Sequence, residues 1–82
     1  MIFYVYMLKC KSIKIKKTYV GYTNNLKLRL KKHNNGKGAK STRGFKWKII
    51  YKKKFYDKRL AMSFEYKLKN DKKKRKYLSS NN

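Results

Sequence analysis

The chain has 82 residues, of which 26 are lysine or arginine and three are acidic, giving a formal net charge of +23. This length allows one small domain, and the single cysteine excludes an internal disulfide and a cysteine-based zinc site. Hydrophobic residues make up 40% of the chain, too many for a disordered basic tail. We expect nucleic acid, not a membrane surface, as the partner, because no long amphipathic basic helix dominates. No apolar run reaches membrane-spanning length, so we expect a soluble, intracellular protein.

Two strands are predicted in the first quarter of the chain. Residues 2–8 are β-branched and aromatic, a pattern typical of a strand buried on both faces. Residues 18–22 form a second, shorter strand that ends near Gly21. The polar, basic stretch between the two runs favours an antiparallel pair.

A helix and a loop follow. Residues 23–25 (Thr-Asn-Asn) supply N-cap side chains. Leu26, Leu30 and His33 stand at i, i+4 and i+7, which places them on one helix face. The segment 34–44 is rich in glycine and basic residues, so it should end the helix and form a loop.

The second half of the chain predicts a strand and then a helix. Even spacing predicts a third strand over residues 47–55, with one face formed by Trp47, Ile49, Tyr51 and Phe55.

Asp57 is then an N-cap, and Leu60, Phe64 and Leu68 form the apolar stripe of a second helix. The lysine-rich tail continues as a short helix through Leu78, and we expect residues 79–82 to fray. The predicted fold is an α/β sandwich of order β-β-α-β-α, with a mainly antiparallel three-stranded sheet flanked by helices. Its domain spans residues 1–78.

Four separated blocks carry the strongest functional signal. They are FYVYML in the first strand, TYVGYT in the second, GYTNNLKLRLKKHNNGKGAKSTRG through the helix and loop, and FEYK in the last long helix. In this order they resemble the GIY-YIG family of nucleases over nearly the whole chain. The likeness is to its small stand-alone bacterial-type members and to the nuclease domain of its branched-DNA endonucleases.

The resemblance implies a divalent-metal-dependent endonuclease that hydrolyses DNA phosphodiester bonds. Glu65 matches the family's metal-binding glutamate, for Mg²⁺ with Mn²⁺ as a substitute, and one carboxylate suffices because Mg²⁺ keeps several waters. Arg29 matches the catalytic arginine, which stabilises charge on the phosphate. From the residues alone, Glu65 could instead pair with Lys69 at i+4, and Arg29 could be a solvated helix residue.

Tyr6 and Tyr19 match the two active-site tyrosines of the family. We expect Tyr6 to act as general base and Tyr19 to position water or substrate; as strand tyrosines, both would also suit half-buried packing. His33 matches a position that assists the attacking water or contacts phosphate, although a lone histidine beside an apolar stripe also suits a structural role.

The remaining predicted contacts are with substrate. Gly21 ends the second strand and lets backbone approach substrate or a neighbouring helix. Lys37, Lys40 and Arg43 lie in the glycine-rich loop and could clamp a phosphate backbone, or could belong to a plain surface loop.

Two departures from the family pattern stand out. Leu28 precedes Arg29 where relatives often have paired basic residues, and no later asparagine convincingly matches one that homing and excision members carry. The chain has neither the zinc module nor the separate DNA-binding domain of larger members. Preference for branches, flaps or ends, or a partner protein that supplies specificity, is therefore expected over sequence recognition. The alternative is a catalytically weak nucleic-acid-binding module.

Overall fold

The computed structural model describes residues 1–80. Its sheet has three antiparallel strands in the spatial order β2-β1-β3, namely β1 (Phe3–Cys10), β2 (Thr18–Thr23) and β3 (Trp47–Phe55). Three helices flank the sheet: α1 (Leu26–Asn34), α2 (Lys58–Lys69) and α3 (Lys72–Ser80). A short 3-10 turn, Lys40–Thr42, lies between α1 and β3. The predicted sandwich is confirmed.

The central strand β1 carries the core of both layers. Residues 5–8 are each at most 1% exposed, and successive side chains point to opposite faces of the sheet. The strand runs two residues beyond the predicted end at Leu8, because the Cys10 amide donates to the Lys17 carbonyl at 3.0 Å. Burial on both faces explains why this segment is a continuous apolar run.

A bulge divides the side chains of β3 between the two layers. We predicted that Trp47, Ile49, Tyr51 and Phe55 share one face. The pairing with β1 shifts by one residue at Ile50, and an inserted residue inverts the alternation beyond it. Trp47 and Ile49 therefore pack on the α1 side, whereas Tyr51 and Phe55 pack on the α2 side.

The buried face of α2 differs from the predicted stripe. Ala61 and Leu68 are buried and Phe64 packs beside them, whereas Leu60 is 59% exposed. Residues one position apart on a helix lie about 100° apart, so the small Ala61 faces the sheet and Leu60 turns away. Glu65, four residues after Ala61, therefore lies on the sheet side of the helix with its side chain 16% exposed.

The third helix is longer than predicted. We expected fraying from Ser79, but α3 continues to Ser80. The Lys9 ammonium donates to the Ser79 carbonyl at 2.8 Å and so satisfies a terminal acceptor of the helix. The rest of the predicted frayed tail, Asn81 and Asn82, lies outside the described residues. Within residues 1–80, no helix has the length and apolar character needed to cross a membrane.

Candidate active site

The first two strands bring the predicted tyrosines to the same face of the sheet. Tyr6 pairs with Gly21, and Leu8 pairs with Tyr19. Directly paired residues project to the same side, so both tyrosines face α1. Their ring centroids are 6.3 Å apart, and the ring of Tyr19 lies 4.9 Å from that of His33.

A chain of hydrogen bonds connects α1 to β1 and to the following loop. Arg29 Nε donates to the Tyr6 hydroxyl oxygen at 3.4 Å. The same hydroxyl lies 2.9 Å from His33 Nε2, and His33 Nδ1 lies 2.9 Å from Thr42 Oγ1. Thr42 Oγ1 in turn donates to the Ala39 carbonyl at 2.7 Å. We refer to Arg29, Tyr6, His33 and Thr42 as the hydrogen-bonded relay.

The donor and the acceptor of each hydrogen bond in the relay follow from the bond between Thr42 and the Ala39 carbonyl. A carbonyl only accepts, so the Thr42 proton points to Ala39 and the Thr42 oxygen must accept from His33 Nδ1. His33 Nε2 is then the acceptor of a neutral ring, and the Tyr6 hydroxyl donates to it. This arrangement fixes one tautomer of the histidine, with its proton on Nδ1.

Burial keeps the relay neutral at Tyr6 and His33. Burial raises the pKa of Tyr6 to about 12, so its hydroxyl keeps its proton at neutral pH. Burial, and then the nearby Arg29 charge, lower the pKa of His33 below its usual value. His33 is fully buried and Tyr6 is 1% exposed, so both side chains are shielded from solvent in the free protein.

Two glycines make room for the relay. A side-chain carbon added at Gly21 would lie 2.6 Å from the Tyr6 hydroxyl oxygen, and one at Gly38 would collide with the His33 ring. Gly21 is itself buried. The structure therefore gives Gly21 a packing role against Tyr6, while the substrate contact expected of it remains a prediction.

Thr42 is the site residue that the sequence did not reveal. It lies nine residues after His33 in the loop. The loop is held in place by Trp47, whose indole donates to the Thr42 carbonyl at 3.0 Å and whose backbone amide donates to Asn34 Oδ1 at 2.6 Å. The available signal was chemical: a buried histidine needs a partner for each nitrogen, and a hydroxyl pair, Ser41-Thr42, follows nearby.

Glu65 lies on the opposite layer from the relay but acts electrostatically on it. Its negative charge is among the influences that raise the pKa of Tyr6. Lys69 Nζ lies 3.5 Å from Glu65 Oε1 in the one ion pair found within residues 1–80. The predicted i+4 pair is thus present, but at this length it leaves the carboxylate able to take another partner.

The donor set fits a hard divalent cation that brings most of its own ligands. No group of three or more His, Cys, Asp or Glu side chains in the described part of the chain could enclose a metal. Glu65 offers a single carboxylate, and Mg²⁺ is commonly held by one or two carboxylates together with water and substrate phosphate. The relay supplies no metal ligand, because the His33 nitrogens are both engaged.

The other predicted contacts lie at the surface. Lys37, Lys40 and Arg43 are exposed on the loop whose inner side holds Thr42. Leu28 is 48% exposed. Asn70 ends α2 and its amide donates to the Tyr66 carbonyl at 2.9 Å, so it serves as a cap. No late asparagine within residues 1–80 joins the relay.

Comparison with known proteins identifies the family of the chain. The model of the GIY-YIG catalytic domain matches residues 2–78, nearly the whole chain. The chain therefore belongs to the GIY-YIG family, a family of nucleases.

Several relatives are bacterial proteins of similar size. The chain is 49% identical to UPF0213 protein OB0043 of Oceanobacillus iheyensis over 67 residues, covering 80% of this chain and 74% of the relative. It is 42% identical to UPF0213 protein YazA of Bacillus subtilis over 76 residues, covering 92% and 74%. The solution NMR structure of UPF0213 protein BH0048 from Bacillus halodurans matches with a TM-score of 0.54 and 40% identity, covering 98% of this chain and 84% of that one.

Proposed function

We propose that the protein is a Mg²⁺-dependent endonuclease that hydrolyses DNA phosphodiester bonds. The relay that links Arg29, Tyr6 and His33 is the observation that carries this proposal. If His33 had only a structural role, its hydrogen bond to Tyr6 would be sufficient. Arg29, on the same helix, would then not need to donate to the Tyr6 hydroxyl as well. The nuclease family of the chain supports the same activity.

Arg29 binds the scissile phosphate in this proposal. Its Nε is used by Tyr6, which leaves the two terminal nitrogens of the guanidinium to face a phosphate in a forked arrangement. The bond to Tyr6 fixes the orientation of the guanidinium plane. A positioned cation of this kind stabilises the negative charge that develops in the transition state.

Tyr6 is the general base and works through His33. Because the pKa of Tyr6 is about 12, its side chain is a neutral phenol and not a phenolate at neutral pH. Tyr6 is 1% exposed in the free protein, so substrate binding first admits the attacking water to its hydroxyl. The hydroxyl then accepts a proton from that water as its own proton passes to His33 Nε2, 2.9 Å away. Tyr19, half-buried beside both rings, is the residue that positions the water.

Glu65 holds the metal in this scheme. A bound Mg²⁺ would supply Lewis-acid stabilisation of the phosphate and of the leaving oxygen. Lys37, Lys40 and Arg43 contact the substrate backbone from the loop. The products expected are a 5′-phosphate and a 3′-hydroxyl. Branches, flaps or ends are the preferred substrates, or a partner protein supplies specificity.

Cleavage of labelled single-stranded, duplex and branched DNA, with and without Mg²⁺ or Mn²⁺, tests the proposal. Glu65→Gln should lose cleavage by about 100-fold or more, since the metal contributes several kcal/mol. Asp57→Asn is the matched control, because it also removes one carboxylate and asparagine still caps α2. All proteins are purified in parallel at high salt, since a +23 chain retains other nucleases.

Three outcomes are informative. Metal-dependent cleavage that persists in Asp57→Asn and disappears in Glu65→Gln supports the enzyme. Equal cleavage by all three proteins contradicts it and indicates contamination. Tight binding without cleavage by any of them contradicts it as well and favours the nucleic-acid-binding module.

A further inference from the structure

A second cationic feature lies where α3 meets the start of β2. A shallow groove of about 320 Å³ is lined by Lys16, Thr18, Lys72, Arg75, Lys76 and Ser79. Four of these six side chains are cationic and none is acidic. They come from three parts of the chain: the β1–β2 connection, the edge strand and the last helix. We call this feature the α3 groove.

The fold sorts the lysine-rich tail into two faces. On one side of α3, Lys74 lies over the rings of Tyr51 and Phe64, and Leu78 packs on the core. Positions 72, 75, 76 and 79 stand at i, i+3, i+4 and i+7, so they share another side of the helix. The groove cations are therefore gathered by the packing of α3 and are not a random spread along a basic tail.

The groove holds positive charge without a compensating partner. Arg75 Nε is buried and makes no hydrogen bond within residues 1–80. The single ion pair in that part of the chain, between Lys69 and Glu65, lies outside the groove. A buried guanidinium nitrogen without an acceptor costs free energy, and neighbouring cations repel one another. An anion in the groove would relieve the repulsion between the cations.

The position of the groove relates it to the candidate active site. Thr18 lines the groove on the α2 side of the sheet, and three residues further along β2 lies Gly21, whose partner Tyr6 points to the α1 side. Three residues of strand span about 10 Å, and β2 is an edge of the sheet. A nucleic-acid strand that crosses this edge can therefore contact both layers within a few nucleotides.

We propose that the α3 groove binds the phosphodiester backbone of the nucleic-acid strand that is cleaved, within a few nucleotides of the reacting phosphate. The proposal rests on the nuclease function proposed above. Lys72, Arg75 and Lys76 neutralise phosphates, with Arg75 acting through its guanidinium. The ammonium of Lys9, bonded to the Ser79 carbonyl, offsets the negative end of α3, which would otherwise disfavour an anion.

Binding of a fluorescent 20-nucleotide DNA in EDTA, where no metal-dependent cleavage occurs, tests the groove. The groove variant is Lys72→Gln/Arg75→Gln/Lys76→Gln. The matched control, Lys54→Gln/Arg59→Gln/Lys73→Gln, also removes two lysines and one arginine, all exposed and outside the groove. A second groove variant, Lys16→Gln/Lys72→Gln/Lys76→Gln, keeps the partly buried arginine in case its loss unfolds α3.

Each lost phosphate contact lowers the slope of log affinity against log salt by about 0.7–0.9. We expect both groove variants to lose about two units of slope and about tenfold or more in affinity at low salt, and the control to lose less than one unit. Equal losses in the groove variants and the control would overturn the proposal, because diffuse charge alone would then explain binding.

A second measurement locates the contact relative to the cleaved bond. A single neutral methylphosphonate linkage is placed in turn at each of the first few positions on either side of the cleavage position. At one of these positions it should slow cleavage by the wild-type protein but not by the groove variants. If the methylphosphonate slowed the wild-type protein and the groove variants equally, the groove would not contact the cleaved strand. Failure of the nuclease proposal is recognised separately, by Glu65→Gln cleaving like the wild type, while binding in EDTA still tests the groove.

Discussion

At the scale of single residues, His33 is defined by the partners of its two nitrogens. A fully buried imidazole is stable when it is neutral and both nitrogens are bonded, and Tyr6 and Thr42 meet both needs. The tautomer that results leaves Nε2 as an acceptor toward Tyr6. The same bonds that stabilise the core therefore prepare a proton acceptor behind the candidate base.

Thr42 is expected to control that tautomer. Thr42→Val keeps the shape but removes the acceptor of His33 Nδ1, and an unsatisfied buried N–H costs about 1–3 kcal/mol. The freed ring can move its proton to Nε2, which removes the acceptor of Tyr6. Urea unfolding measures the loss of stability, and imidazole ¹⁵N NMR shifts report the tautomer. Thr42→Ser keeps the hydroxyl and should retain the Nδ1-protonated ring; the same tautomer in Thr42→Val would contradict this role.

The lowered pKa of His33 predicts how stability depends on pH. The unfolded histidine titrates near 6.5, whereas the folded one titrates lower, so the unfolded state binds more protons in acid. The free energy of unfolding should be fully maintained above about pH 6.5 and fall as the pH drops below it. His33 is the only histidine in the chain. Thermal unfolding between pH 8 and pH 5 should show this decline in the wild type and a flatter profile in His33→Gln; identical profiles would contradict it.

At the scale of elements, the sequence predicted every strand and helix but not how two of them face the core. The apolar periodicity of α1 correctly placed Leu26, Leu30 and His33 toward the sheet. Periodicity failed in β3, because the bulge at Ile50 depends on pairing with β1 and leaves no local signal. Periodicity also failed in α2. A hydrophobic pattern gives more weight to the large Leu60 than to the small Ala61, but it is Ala61 that packs against the sheet.

The residues of the candidate site also divide into those that the sequence predicted and one that it did not. Tyr6, Arg29 and His33 were predicted and do meet in the structure. Their roles in catalysis remain predictions. Thr42 was not predicted, because a loop hydroxyl has no periodicity and its contact with His33 depends on how Trp47 and Asn34 hold the loop.

The observed orientation of α2 gives a direct test. Ala61→Leu should destabilise the fold by about 1–3 kcal/mol, because added methylene groups cannot fit against the sheet. Leu60→Ala should change stability by no more than about 0.5 kcal/mol, since Leu60 is largely exposed. Urea unfolding of both variants measures the two costs. A larger loss for Leu60→Ala would mean that α2 is rotated toward the originally predicted stripe.

At the scale of the whole molecule, the candidate site joins the two layers of the sandwich. The relay lies between the sheet and α1, whereas Glu65 projects from α2 on the other layer. Burial is the main cause of the raised pKa of Tyr6, and the charge of Glu65 adds to it from the other layer. In this 82-residue chain, the edge strand β2 is the boundary between the relay and Glu65.

Single-turnover cleavage of DNA by Tyr6→Phe, Glu65→Gln and the double variant tests whether these groups serve one reaction. Tyr4→Phe, a hydroxyl removed from the same strand two residues away, is the control and should cleave like the wild type. If Tyr6 and Glu65 act on the same phosphodiester bond, each single change lowers the rate by about 100-fold or more. The double variant should then be little slower than the slower single one. Cleavage by the double variant at the wild-type rate would contradict the proposed active site.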